Sequence, residues 1–169
     1  AQKTVLEINH ETDSSKIGVI TIPTFYMDFA AYQKGEKNYR STTRDVDQLL
    51  SELKDEDIDT LILDLRSNGG GSLIEATNLA GLFIDHGPVV QVQDSSGNLE
   101  IHKDLKKGVS YDGPLVVLVD RFSASASEIV ASALQDYGRA VVVGEATYGK
   151  GSVQQLIDLN RFSRSKEAK

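Results

Sequence analysis

The chain has 169 residues, with 18 lysines and arginines against 25 aspartates and glutamates, for a net charge of −7. That length suits one domain with a single sizeable core, and 40% hydrophobic with 25% charged residues is ordinary for a globular protein and unlike a disordered one. The acidic balance argues against nucleic-acid binding, which needs a basic face, and the lack of cysteine excludes disulfides, thiolate zinc sites and thiol nucleophiles. The basic cluster Arg161, Arg164, Lys166 and Lys169 reads as a solvated tail. No apolar run approaches the roughly 20 residues of a membrane helix, and Ala1–Thr4 show no signal-peptide core. His10, His86 and His102 each stand apart from other ligand-type residues at any recognisable spacing, so no metal site is expected.

Taken in chain order, apolar strand runs alternate with helical stretches, the signature of an α/β layer architecture. Ile17 to Ile22 is the first strand run, closed by Pro23, and residues 28–41 read as a loop with a short helix. Val46, Leu49, Leu50 and Leu53 then make one stripe of an amphipathic helix, capped by Ser41-Thr42-Thr43. Thr60 to Leu65 is a continuous apolar run of the kind buried on both faces of a parallel sheet. A helix of a dozen residues carrying Leu73, Ala76, Ala80 and Phe83 follows, and then a hairpin of Val89–Gln93 and Leu99–His102 around the turn Asp94–Asn98. Leu115 to Val119 is a second apolar strand, leading to a helix with Ala126, Ile129, Val130, Ala133 and Leu134. Ala140 to Val143 reads as another buried strand, and Ser152 to Leu159 as a last strand-like stretch.

Leu63-Asp64-Leu65-Arg66-Ser67 and Val119-Asp120-Arg121-Phe122-Ser123 echo each other: both end a strand and lead into small residues and a helix. Two such turns place two helix N-termini on one edge of a sheet, where open α/β domains keep their chemistry. Three segments there can act. Gly69-Gly70-Gly71 allows close backbone approach and outward N–H groups, or is simply a flexible turn. Ser123-Ala124-Ser125-Ala126-Ser127-Glu128 fits a capping box, Ser125 to Glu128, and also fits a nucleophile at a helix start with a following amide to hold an oxyanion. Gly144-Glu145-Ala146-Thr147-Tyr148-Gly149-Lys150-Gly151 imitates a phosphate-binding loop, with Asp64 posing as its magnesium aspartate. However, Gly151 offers no hydroxyl and the residues after it read as strand, so no nucleotide is expected; ATP binding lost on Lys150→Ala would revive that reading. Lys150 is either an exposed loop lysine or, kept neutral by burial, a base for a serine hydroxyl.

These three motifs together resemble the peptidase core of tail-specific, or C-terminal-processing, serine proteases, closest to the bacterial periplasmic branch. The resemblance runs from about Lys16 to Arg161, with the motifs in the family's order. It implies a single α/β domain over residues 1–169, a crotonase-like or Clp-protease-like spiral of β-β-α units. It also implies a Ser/Lys dyad, Ser125 as nucleophile and Lys150 as general base, with Gln154 orienting the lysine. The oxyanion donors fall on the Gly71 and Ala126 amides, with Gly70 shaping the nest. An aspartate sometimes counted as a third catalytic member falls on Asp136. Eleven helical residues span about 16 Å, too far for contact with Ser125, so the alternative for Asp136 is to hold the helix or a neighbouring loop.

The resemblance further implies an endopeptidase with no cofactor, selecting proteins by accessible, often apolar C-terminal tails, on the periplasmic or envelope side of a bacterium. The family's substrate-capturing PDZ domain and its last strands have no counterpart in these 169 residues, so the chain is expected to be the core of a longer protein. Envelope association is expected to come through those missing regions. A non-catalytic peptide-binding or scaffold module is the alternative.

Overall fold

The structure, a computed structural model, describes residues 1–9 and 14–154. In chain order the elements are β1 (Gln2–Asn9), β2 (Ser14–Thr21), α1 (Phe29–Gln33), α2 (Thr42–Asp55), β3 (Thr60–Asp64) and α3 (Leu73–Ala80). They continue with β4 (Gly87–Gln93), β5 (Leu99–Asp104), β6 (Leu115–Val119), α4 (Ala126–Asp136) and β7 (Val141–Gly144). Five strands form one sheet in the order β1-β2-β3-β6-β7, and β4 pairs with β5 in a separate hairpin. β1 runs antiparallel to β2, whereas β2, β3, β6 and β7 are parallel neighbours. This is the expected α/β architecture of repeated strand-to-helix units.

Register explains the core. Pairing aligns Ile20 with Leu63, Leu63 with Val117 and Val117 with Val142, so these side chains share one face. Ile20, Leu63 and Val117 are fully buried, in one cluster with Leu53 of α2, Leu79 of α3 and Leu134 of α4. The sequence expectation of strands buried on both faces needs correction. On the opposite face Val19, Ile62, Val116 and Leu118 are only half-buried, while Val141 and Val143 of β7 are 63% and 47% exposed. The helices pack on one face, and β7 is an edge among the described residues.

Local chemistry sets the boundaries. The Ser41 hydroxyl accepts from the Arg44 amide and starts α2, whose Val46, Leu50 and Leu53 face the core. α3 stops at Ala80, shorter than the dozen residues expected. Gly81 packs so closely on the Asp104 carboxylate that a Cβ there would meet its carbon at 2.6 Å, and tight turns through Leu82 and Phe83 replace further helix. β1 is a strand that the sequence pattern left unassigned. His10 lies outside the described residues, as does the expected strand beyond Gln154; residues 151–154 carry no regular structure.

Candidate active site

β3 and β6 are adjacent and parallel, so the turns after them meet at one sheet edge. Asn68 joins them. It is wholly buried; its Nδ2 donates to the Ile22 carbonyl at 2.8 Å, and its Oδ1 accepts from the Gly70 amide at 2.9 Å. Its carbonyl accepts from the Ala124 amide at 3.0 Å and the Ser127 hydroxyl at 2.8 Å. Asp120 secures the same junction, accepting from the amides of Ser67, Phe122 and Ser123; the Ser67 bond leads the causes that hold its carboxyl below the ordinary aspartate range. Nearby, the Arg66 guanidinium binds Asp64 at 2.7 Å and lowers its carboxyl likewise.

The glycine nest depends on the absence of side chains. Gly70 has φ +105, and a Cβ there would come within 2.8 Å of the Ser125 Cβ. Gly71 has φ +145, and its Cβ would fall 2.3 Å from the Phe25 carbonyl oxygen, because Phe25 pairs with it in an isolated parallel bridge. The Gly70 amide is consumed by Asn68, while the amides of Gly71 and Ala126 donate no hydrogen bond among the described residues. Those two N–H groups are free to meet an oxyanion.

The three serines of the small-residue run separate cleanly. Ser123 is buried, bonded to the Leu65 carbonyl at 2.8 Å, and Ser127 is buried on Asn68. Ser125 alone is half-buried and lines a cleft of about 400 Å³, shared with Lys150, Gly149, Glu128, Ile129, Asp136, Val89 and Val90. Its backbone, at φ 56 and ψ −113, is strained for a residue with a Cβ, at a cost of about 1–3 kcal/mol. Such strain persists at turns that surrounding bonds over-determine.

Glu128 supplies those bonds, a role the capping-box pattern only half revealed. Its Oε2 accepts from the Ser125 amide at 2.7 Å and the Lys150 amide at 3.0 Å. Its Oε1 accepts from the Thr147 hydroxyl at 2.8 Å and the Gly149 amide at 2.6 Å. Partial desolvation pushes this carboxyl up, but the four hydrogen bonds outweigh it and hold it below the ordinary glutamate range. One carboxylate therefore ties the Lys150 loop to the Ser125 turn.

Lys150 is half-buried at an open cleft rather than enclosed, because residues 149 and 151–154 beside it are exposed. Its Nζ donates to Gln154 Oε1 at 3.5 Å, and no hydrogen bond joins it to Ser125. Asp136 lines the same cleft from the far end of α4. A larger hollow of about 650 Å³, lined by Thr21, Pro23, Tyr26, Asp28 and Arg40 among others, contains none of the sequence-predicted site residues. His86 pairs with Asp85 and His102 with Glu100, both away from the cleft lining.

The model of peptidase family S41 matches residues 16–166. The chain belongs to that family. It is 45% identical over 150 residues to the tail-specific protease of Haemophilus influenzae, covering 89% of this chain and 20% of that protein. It is 40% identical over 120 residues to the chloroplastic C-terminal processing peptidase of Tetradesmus obliquus, covering 71% of this chain and 26% of that one. Among solved structures, the photosystem II D1 C-terminal processing protease superposes with a TM-score of 0.73 at 32% identity, over 94% of this chain and 40% of that one. The chain thus spans about a fifth to two fifths of these family members' length.

Proposed function

We propose that this chain is the catalytic core of a C-terminal-processing serine endopeptidase, with Ser125 as nucleophile and Lys150 as general base. The observation that carries the reading is that Ser125 alone of its three-serine run opens onto a cleft shared with Lys150, twenty-five residues on. Family membership and the names of the relatives support peptide hydrolysis at C-terminal regions.

In this reading, neutral Lys150 takes the Ser125 hydroxyl proton as Oγ attacks the scissile carbonyl carbon. The Gly71 and Ala126 amides receive the oxyanion, with Gly70 giving the nest its shape. The Lys150 ammonium then passes its proton to the departing amine, leaving Ser125 acylated. Water attacks the ester after giving a proton to Lys150, and that proton returns to Ser125. Gln154 orients the lysine. No metal or cofactor takes part. Substrates are proteins with apolar tails, captured by regions of a longer chain that also set its envelope-side location; cell fractionation of the natural host tests the latter.

A second reading, a peptide-binding module without catalysis, draws on the engagement of Lys150 Nζ by Gln154 rather than by Ser125. One experiment separates the two. An unfolded protein with an apolar tail is incubated with the natural full-length chain and with its Ser125→Ala and Lys150→Ala forms. Cleavage by wild type, reduced at least about a thousandfold in both variants, is expected for residues acting as one unit. Equal rates in either variant defeat the dyad, and tail binding without cleavage by any form favours the module.

A further inference from the structure

The cleft holding Ser125 and Lys150 is longer than bond cleavage requires. Ser125, capping the start of α4, and Ile129, Ser132 and Asp136 within α4 line it at three- and four-residue spacing, as one stripe. Eleven residues make about three turns, so Asp136 returns to within about 20° of the direction of Ser125, some 16 Å along the axis. Val89 and Val90 of β4 form the facing wall. A second hollow of about 390 Å³, lined by Pro88, Gln91 and Tyr137, shares Val89, Val90 and Asp136 with the first. The two are one groove, and Asp136 stands where they join.

The far end of this groove is built rather than incidental. The Tyr137 hydroxyl donates to the Pro88 carbonyl at 2.9 Å, pinning the end of α4 to the start of β4. Gly87, at φ +134, makes room for that contact: a Cβ there would lie 2.4 Å from the hydroxyl oxygen. The Asp136 side chain is exposed and makes no hydrogen bond or ion pair among the described residues. The charged groups of the first hollow, Glu128 and Lys150, are tied to the Ser125 end, and Asp136 adds a carboxylate, unpaired among the described residues, at the far end, beside Val89, Val90 and Tyr137.

We propose that the groove seats an extended stretch of substrate and that Asp136 selects a lysine or arginine four or five residues from the scissile bond. The proposal rests on Ser125 being the nucleophile. Its distance follows from the span: about 16 Å divided by about 3.3 Å per extended residue gives five. Its chemistry follows from the walls: Val89, Val90 and Ile129 accommodate the long aliphatic stem of a cationic side chain, whose head then reaches the carboxylate. Asp136 acts here on substrate choice, a role the catalytic reading of this residue does not include.

The test uses the natural full-length chain and peptides identical except for one residue, set to Lys, Gln or Glu at each of five positions on either side of the cleaved bond. Wild type is expected to prefer Lys over Glu by about two- to fivefold in kcat/KM, through KM, at one position four or five residues away, and less so in high salt. Asp136→Asn removes the preference and Asp136→Lys inverts it. The same peptides are also titrated against the Ser125→Ala form, whose Kd values follow the same order. A missing positional preference, an order unchanged by Asp136→Lys, or a uniform loss of kcat on every peptide overturns the proposal. Absent cleavage with the Kd order intact instead defeats the peptidase reading and leaves the groove's selectivity standing.

Discussion

Asn68 is wholly buried, and its polar atoms end on Ile22, Gly70, Ala124 and Ser127, in segments far apart along the chain. Replacing it with alanine strands the Gly70 amide and the Ile22 carbonyl, at about 1–3 kcal/mol for each buried group. Asn68→Ala is expected to lower stability by about 3 kcal/mol in urea unfolding. It is also expected to reduce kcat more than it raises KM, because the nest proposed to receive the oxyanion loses its anchor. An unchanged kcat in folded Asn68→Ala protein contradicts this role. Ser125, Lys150 and the glycines stood out as candidates in the sequence because their residue types are chemically distinctive and their motifs follow the order of a known family. Asn68 did not, because its partners lie up to about 60 residues away, and Glu128 did so only for its cap on Ser125: no local pattern reports a carboxylate that also gathers donors from the Lys150 loop.

Helices α2 and α3 are joined by Glu75, fully buried in the first turn of α3. Its Oε2 accepts from the Ser41 hydroxyl at 2.9 Å and from both the amide and hydroxyl of Thr43 at 2.7 Å. Glu75→Ala removes the carboxylate from all three donors, of which the Thr43 hydroxyl keeps the Glu75 carbonyl at 3.2 Å, and is expected to cost about 3 kcal/mol, while Glu75→Gln keeps an acceptor oxygen and costs about 1 kcal/mol. Equal urea midpoints for the two variants would show that the bridge carries no weight. At this scale the apolar stripe of α2 and the runs of β3 and β6 were legible because burial imposes their periods. β1 was missed because Lys3, Thr4 and Glu7 dilute its apolar alternation, and its strand character comes from pairing with β2. α3 ends at Ala80, where turns through Leu82 and Phe83 take over and Gly81 lies against Asp104, a tertiary contact without a local signal.

Across the whole molecule, the parallel sheet is covered by helices on one face and half-open on the other, so an unbroken apolar run such as Leu115–Val119 overstated its burial. The junction at the active edge is held by three carboxylates, Asp64, Asp120 and Glu128, each below its ordinary range. A carboxyl depressed by folding stabilises the fold above its unfolded pKa, near 4, and that contribution fades as pH falls through the lower folded value. Melting temperature is therefore expected to hold, as far as these groups govern it, from pH 7 to about pH 5 and to fall below about pH 4; a fall confined to the interval between pH 7 and 5.5 contradicts their role. The proposed function stands on Ser125 as the nucleophile and Lys150 as its base. The most direct test treats the natural full-length chain with a serine-reactive fluorophosphonate and maps the adduct by peptide mass spectrometry. Modification of Ser125 alone, suppressed in Lys150→Ala, is expected. An adduct on Ser123 or Ser127, or equal labelling of Ser125 without the lysine, would contradict it.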